Sequence, residues 1–151
     1  MFGHRIQRPI SAGIALCGLL FSPTLGQARK TGKPVPPLPS EVLTAKSVYL
    51  DCRLNMPDTP SAVTLRIEQW GRFRVENRPE NADLTLTIDA LGEHTVLLHV
   101  SDRTKHRVFW STTAEGGSIR DRCLELIDLF RQRIEADEAK LRQAQPTPKQ
   151  P

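Results

Sequence analysis

The chain has 151 residues, 38% of them hydrophobic and 25% charged, which is room for one ordinary domain around one core. Its net charge of +4 is not a property of the central segment: residues 47–138 hold 12 Lys and Arg against 16 Asp and Glu, a net of −4, and the basicity sits in the two ends. A nucleic-acid-binding domain gathers Lys and Arg on its folded surface with aromatic rings for base stacking, and this distribution excludes that class.

Residues 1–28 read as a signal peptide. His4, Arg5 and Arg8 make a basic start, an apolar run extends from Ile10 to Phe21, and Gly26 and Ala28 supply the small residues that a signal peptidase requires. The run is shorter than the roughly 20 residues that span a bilayer, so no permanent membrane span is expected. Cys17 lies within it, but Leu16 before it and the apolar residues after it are not the surroundings of a lipid-modified cysteine. Cleavage after Ala28 sends the remainder to the periplasm or the medium, with a mature chain that begins at Arg29.

Residues 29–44 form a linker in which Pro34, Pro36, Pro37 and Pro39 impose extended, polyproline-type backbone, and residues 139–151, with Pro146, Pro148 and Pro151, read as a disordered tail. The fold is expected in residues 45–138. Ser47 to Leu50 is a short β-rich run. Asp58, Thr59 and Pro60 resemble a helix start, Val63, Ile67 and Trp70 recur at helical spacing, and Gly71 is a natural stop. A strand competes there, because Val63, Leu65 and Ile67 also alternate with Thr64, Arg66 and Glu68. Phe73 to Glu76 is a short strand, followed by a turn through Asn77, Pro79 and Asn81.

Three strands in a meander come next. Leu84, Leu86 and Ile88 alternate with Thr85, Thr87 and Asp89; Val96, Leu98 and Val100 alternate with Thr95, Leu97 and His99; and His106 to Ser111 carries Val108 and Trp110 on one side. Ser118 and Asp121 have the spacing of a capping box, with Asp in place of the usual Glu. From there Ile119, Cys123, Leu126, Ile127, Phe130 and Ile134 fall on one face of a long amphipathic helix. The expectation is an α+β fold, a single small domain whose mixed or antiparallel sheet carries two helices on one face.

This order of elements, with Trp70-Gly71-Arg72-Phe73-Arg74-Val75, Ala82-Asp83-Leu84-Thr85-Leu86, Leu98-His99-Val100-Ser101-Asp102 and a closing helix near Arg120, resembles the N-terminal α/β domain of the TolB family and its relatives among periplasmic accessory proteins of the LpoB and CsgG type. The resemblance covers about residues 45–136. It implies a non-enzymatic envelope protein that docks with partners, and it implies no ligand and no site residues.

No catalytic, cofactor-binding or metal-binding set is found. His94, His99 and His106 fall in the meander without paired ligand spacing, and Asp102 points away from the face shared by Ser101 and His99, so no triad forms. There is neither a Gly-x-Ser-x-Gly elbow nor a Gly-rich phosphate loop. Cys52 and Cys123 are the cysteines of the mature chain and form a possible disulfide, against the alternative that Cys123 is a buried free thiol. Trp70 and Trp110 are expected in the core. If both helices cover one face, alternation leaves Leu97, His99 and Phe109 on the other as a partner surface, with Val108 and Trp110 beneath the helices. A one-residue slip in register exchanges those sets. The expected function is an exported, envelope-associated binding module that needs no cofactor and docks an envelope protein; a small secreted hydrolase with an unrecognised site and a self-associating structural component are the alternatives.

Overall fold

A computed structural model describes residues 35–144; the leader, the first part of the proline-rich linker and the last residues of the tail lie outside the described residues. The elements are helix α1 (Ser40–Thr44), strand β1 (Ser47–Cys52), helix α2 (Thr59–Trp70), strands β2 (Arg74–Glu76), β3 (Leu84–Ala90), β4 (Thr95–Asp102) and β5 (Val108–Glu115), and helix α3 (Ile119–Ala144). They build a five-stranded mixed sheet in the order β2-β1-β3-β4-β5. β1 runs parallel to both of its neighbours, and β3, β4 and β5 form the antiparallel meander. The fold is α+β, as the pattern of strands and helices indicates.

The segment that is ambiguous in sequence is a helix. Val63 and Ile67 are buried while Leu65, the residue that strand alternation would bury with them, stays exposed. Gly71 ends α2 at φ +72°, a left-handed conformation that a side chain resists, with its N–H donating to the Glu68 carbonyl at 2.9 Å. The α3 start is a reciprocal cap: the Asp121 N–H donates to Ser118 Oγ at 3.1 Å, and the Ser118 hydroxyl donates to the Asp121 carboxylate at 2.6 Å.

One face of the sheet is apolar. Val48, Leu84, Leu86, Ile88, Val96, Leu98 and Val100 share it and are fully buried against Val63 and Ile67 of α2 and Cys123, Leu126, Ile127, Phe130 and Ile134 of α3. Burying side chains of this size stabilises by about 1.5 to 3 kcal/mol each. Phe130 is the centre of an aromatic group, with ring centroids 6.0 Å from Trp70, 6.0 Å from Phe73 and 5.6 Å from Trp110. Both tryptophans pack against this core with part of the ring exposed.

The domain starts earlier than proline content suggests. Residues 38–44 are part of it: Leu38 and Val42 lie in the core, and α1 occupies the end of the stretch read as linker. In Pro36-Pro37-Leu38-Pro39 the single backbone N–H belongs to Leu38, since proline has none. That N–H donates at 2.8 Å to Asp137, a carboxylate only 2% exposed, which also pairs with Arg133 at 3.0 Å and Lys140 at 3.4 Å. Arg133 in turn donates to the Pro36 carbonyl, so the segment is held to α3 at both ends. α3 itself continues to Ala144, past the point where the tail was expected to begin.

Burial acts to raise the Asp137 pKa, but the Leu38 N–H and the two cations outweigh it and hold the carboxyl below its ordinary value. A depressed folded pKa contributes stability that is present above the unfolded carboxyl value of about 3.9 and is lost as pH falls through the folded one. Asp137→Asn is therefore expected to lower unfolding free energy at pH 7 by about 1 to 3 kcal/mol, with the difference from wild type shrinking below about pH 4. Urea unfolding at pH 7 and pH 3 measures this, and a gap that stays constant across that range refutes the role given to the charge.

Candidate functional site on the uncovered sheet face

Register places the residues of the second face. Tyr49, Thr85, Ser101 and Val108 line one row across the strands, Asp51, Thr87, His99 and Ser111 a second, and Asp89, Leu97 and Thr113 a third. Helices α2 and α3 pack on the opposite side. Most row positions are polar, as expected where a strand side chain one residue off the core points to the other face; Tyr49, Leu97 and Val108 are the exceptions.

The β4–β5 turn is tied to this face by one ion pair. Lys105 adopts φ +61°, an unfavourable conformation for a residue with a Cβ, and its ammonium reaches Asp51 on β1 at 2.6 Å. In the sheet order β3 lies between β1 and β4, and its Thr85 and Thr87 are 0% and 7% exposed. Burial acts to raise the Asp51 pKa, but Lys105 and Arg53 outweigh it and lower the carboxyl overall. The turn is closed by Asp102, whose side chain accepts from Thr104 Oγ1 at 2.8 Å and from the N–H of His106 at 3.0 Å; these bonds lower its pKa. Thr85 Oγ1 and His99 Nδ1 are buried without a hydrogen-bond partner among the described residues.

The proposed partner surface divides. Leu97 and His99 do lie on the uncovered face, half-buried and outside the core cluster. Phe109 does not join them. At the junction of β4 and β5, Ser101 faces Val108 while Val100 faces Trp110, so Phe109 is the extra residue of a β-bulge. A bulge re-aims side chains. Phe109 turns to the helix side and packs against the core, with the Arg107 guanidinium 5.0 Å from its ring centroid, and Val108 takes the uncovered face at 53% exposure. Alternation through an unbroken strand assigns both residues to the wrong side. Trp110 is under the helices as expected.

At the end of the sheet an open hollow of about 550 Å³ is lined by Glu41, Lys46, Asp83, Asp102, Arg103 and Phe109, among others. Its carboxylates are already committed. Asp83 accepts from the N–H groups of Lys46 at 2.8 Å and Ser47 at 3.0 Å and from Ser47 Oγ at 3.0 Å, which stitches the start of β1 to β3, and the Lys46 bond leads in depressing its pKa. Asp102 is spent on its turn. Glu41, the third, pairs with Arg107 at 3.1 Å. No group of three or more His, Cys, Asp or Glu side chains within reach of one metal ion occurs among the described residues, and no described helix is long and apolar enough to cross a membrane.

Cys52, the last residue of β1, is half-buried and packs against the core cluster to which the fully buried Cys123 belongs. Both are free thiols. Burial, with Cys52 as the next cause, pushes Cys123 up to about 11, and burial also raises Cys52. The signal missed in sequence is the Asp51–Lys105 pair, whose members are 54 positions apart and carry no local mark of each other.

No protein-family model matches the chain, and no curated protein does. Among solved structures it is similar to the PelC dodecamer of Paraburkholderia phytofirmans in two crystal forms, at 17% identity and TM-score 0.40 over 66% of this chain and 92% of that one, and at 15% and 0.41 over 66% and 93%. It is also similar to uncharacterized lipoprotein B of Nitrosomonas europaea, at 14% identity and TM-score 0.34 over 71% and 83%.

The division of the surface has a direct consequence. Leu97→Lys should change unfolding free energy by no more than about 0.5 kcal/mol, whereas Phe109→Lys should cost about 1 to 3 kcal/mol because it removes a ring packed on the core. Chemical denaturation of the two variants separates them; equal effects would return both residues to one face.

Proposed function

We propose that this chain is an exported, envelope-associated interaction module without catalytic activity or cofactor, which docks a protein partner on the sheet face opposite the helices. The observation that carries this reading is the make-up of that face. Leu97, His99, Ser111 and Thr113 and the exposed Val108 form a stretch of β4 and β5 without carboxylate, ammonium or guanidinium groups, with no described helix over it and with Asp89 and Glu115 at its border. Uncharged surface with scattered apolar side chains is what a partner can desolvate cheaply, whereas buried unpaired charge is costly. The strand-end positions of Asp83 and Asp102 also support the likeness to TolB-type accessory domains, since an Ala-Asp pair stands just before β3 and an Asp closes β4 before its turn.

A photo-crosslinking residue at position 97 in cells should trap an envelope protein, while one at Leu65, exposed on α2, should not. Trapping at both positions, or at neither, would remove the uncovered face from consideration.

Export also bears on the cysteines, because disulfides persist in oxidising compartments. Cys52 and Cys123 belong to one cluster and are close enough for a charge on one to oppose a charge on the other. Exchange with an external disulfide begins at the more exposed Cys52; Cys123 then displaces the carrier, the two thiols lose two protons and two electrons, and the carrier leaves reduced. A bridge closing a loop of about 70 residues is worth roughly 4 kcal/mol in the chain-entropy view. Mass spectrometry of protein from the envelope fraction under non-reducing conditions should link the two cysteine peptides; two freely alkylated thiols in exported, folded protein would end this proposal.

A further inference from the structure

The two edges of the sheet differ in how they meet solvent. β2 has three residues, two of them the charged Arg74 and Glu76, and Pro79 follows shortly after. Shortness, charge and proline are the usual means of stopping an edge from adding another strand. β5 has eight residues, and from Val108 to Ala114 it contains no Lys, Arg, Asp, Glu or Pro. The bulge at Phe109 twists its beginning, but from Trp110 to Glu115 pairing with β4 is regular. Among the described residues, no backbone group of β5 bonds to anything beyond β4. Its outward N–H and C=O groups thus form a regular, uncharged row open to a further strand.

We infer that β5 pairs antiparallel with β5 of a second copy of this chain, joining the two sheets into one. The second copy fits for reasons of charge and size. Helix-side residues must meet helix-side residues in a continuous sheet, so the two-fold axis passes through a residue position. Centred on Thr112, it sets Thr112 beside its own counterpart, Ser111 beside Thr113 of the second copy, and the bulky Trp110 beside the small Ala114 of the second copy. The one charged residue of the strand, Glu115, then lies at the Phe109 end of the other copy, where Arg107 stands; no like charges face each other. Paired Thr and Ser side chains are favourable neighbours across strands. The axis is perpendicular to the sheet, so both α3 helices lie on the same side, and the exposed part of Trp110 is covered.

Strand pairing over the five residues Trp110 to Ala114 buries less than the roughly 1,000 Å² typical of a stable interface, so association at roughly tens of micromolar is expected. The edge is the outward backbone of β5 and the docking face is centred on Leu97 of β4, with Ser111 and Thr113 where the two meet: a wild-type chain that stays monomeric yet traps an envelope protein through position 97 would sink the pairing and leave the docking role standing, and a wild-type dimer that traps nothing would do the reverse.

Sedimentation velocity of the exported chain from about 5 to 500 µM should show a dimer fraction that rises with concentration. Ser111→Lys with Thr113→Lys, both exposed away from the helices, should hold the chain monomeric throughout, with circular dichroism and melting temperature unchanged. A register test stands beside it in case the lysines disturb folding. In a Cys52→Ser background, an equimolar mixture of Ser111→Cys and Thr113→Cys should oxidise to the mixed disulfide in several-fold excess over either homodimer. A chain monomeric at every concentration, a dimer that survives both lysines, or cysteines that link without that preference each overturns the inference.

Discussion

Phe130 is the side chain on which the other elements converge. It sits midway along the buried face of α3, and rings from the end of α2, from the residue before β2 and from β5 all lie within about 6 Å of it. Trp110 on one edge strand and Phe73 beside the other thereby share a single partner. A sheet of five short strands gains little from backbone pairing alone, and what makes this one cohere is the removal of one apolar face from water by α2 and α3. The T-shaped and stacked rings add orientation to that burial. α3 cannot shift along the sheet without breaking these contacts, so it fixes which face is covered and which is left to solvent.

Polar groups act at the margins of this core, where they position chain segments that the apolar pattern does not reach. Asp83 gathers the first amides of β1, Asp102 closes the β4–β5 turn, and Asp137 takes the single N–H available in a run of prolines. Each is a carboxylate accepting from backbone, and each has its pKa lowered, by the Thr104 hydroxyl foremost at Asp102 and with backbone N–H groups contributing at all three. Side chains fully engaged in this way hold the ends of the fold together and are unavailable for chemistry. Asp83 and Asp102 both line the hollow at the sheet end, so the same bonds that hold the strand ends also shape its wall.

The uncovered face and the β5 edge share a cause. The bulge at Phe109 supplies the core with an aromatic side chain, exposes Val108 in exchange, and confines regular edge geometry to the second half of β5. Lys105, in a strained turn, pairs with Asp51 across the sheet; Thr85 and Thr87 are buried, and Leu97, His99 and Ser111 are the more accessible part of the face. One irregular connection between β4 and β5 thus decides what each surface presents.

Much of the layout is legible in the sequence because it is recorded locally. Period-two alternation marks β3 and β4, a 3.6-residue apolar period marks α3, Ser118 and Asp121 mark its start and Gly71 the end of α2, and together these determine the α+β class and the face on which the helices lie. Three features were decided only by tertiary structure. Residues 63–67 satisfy helix and strand patterns alike, and the helix prevails because it buries Val63 and Ile67 while leaving Leu65 in solvent. Leu38 and Val42 belong to the core through Asp137, a residue about 100 positions away, so proline content alone places the linker boundary too late. Phe109 and Val108 exchange faces because alternation holds only while two strands stay in register, and register is a property of the pair β4 and β5 that neither strand carries by itself.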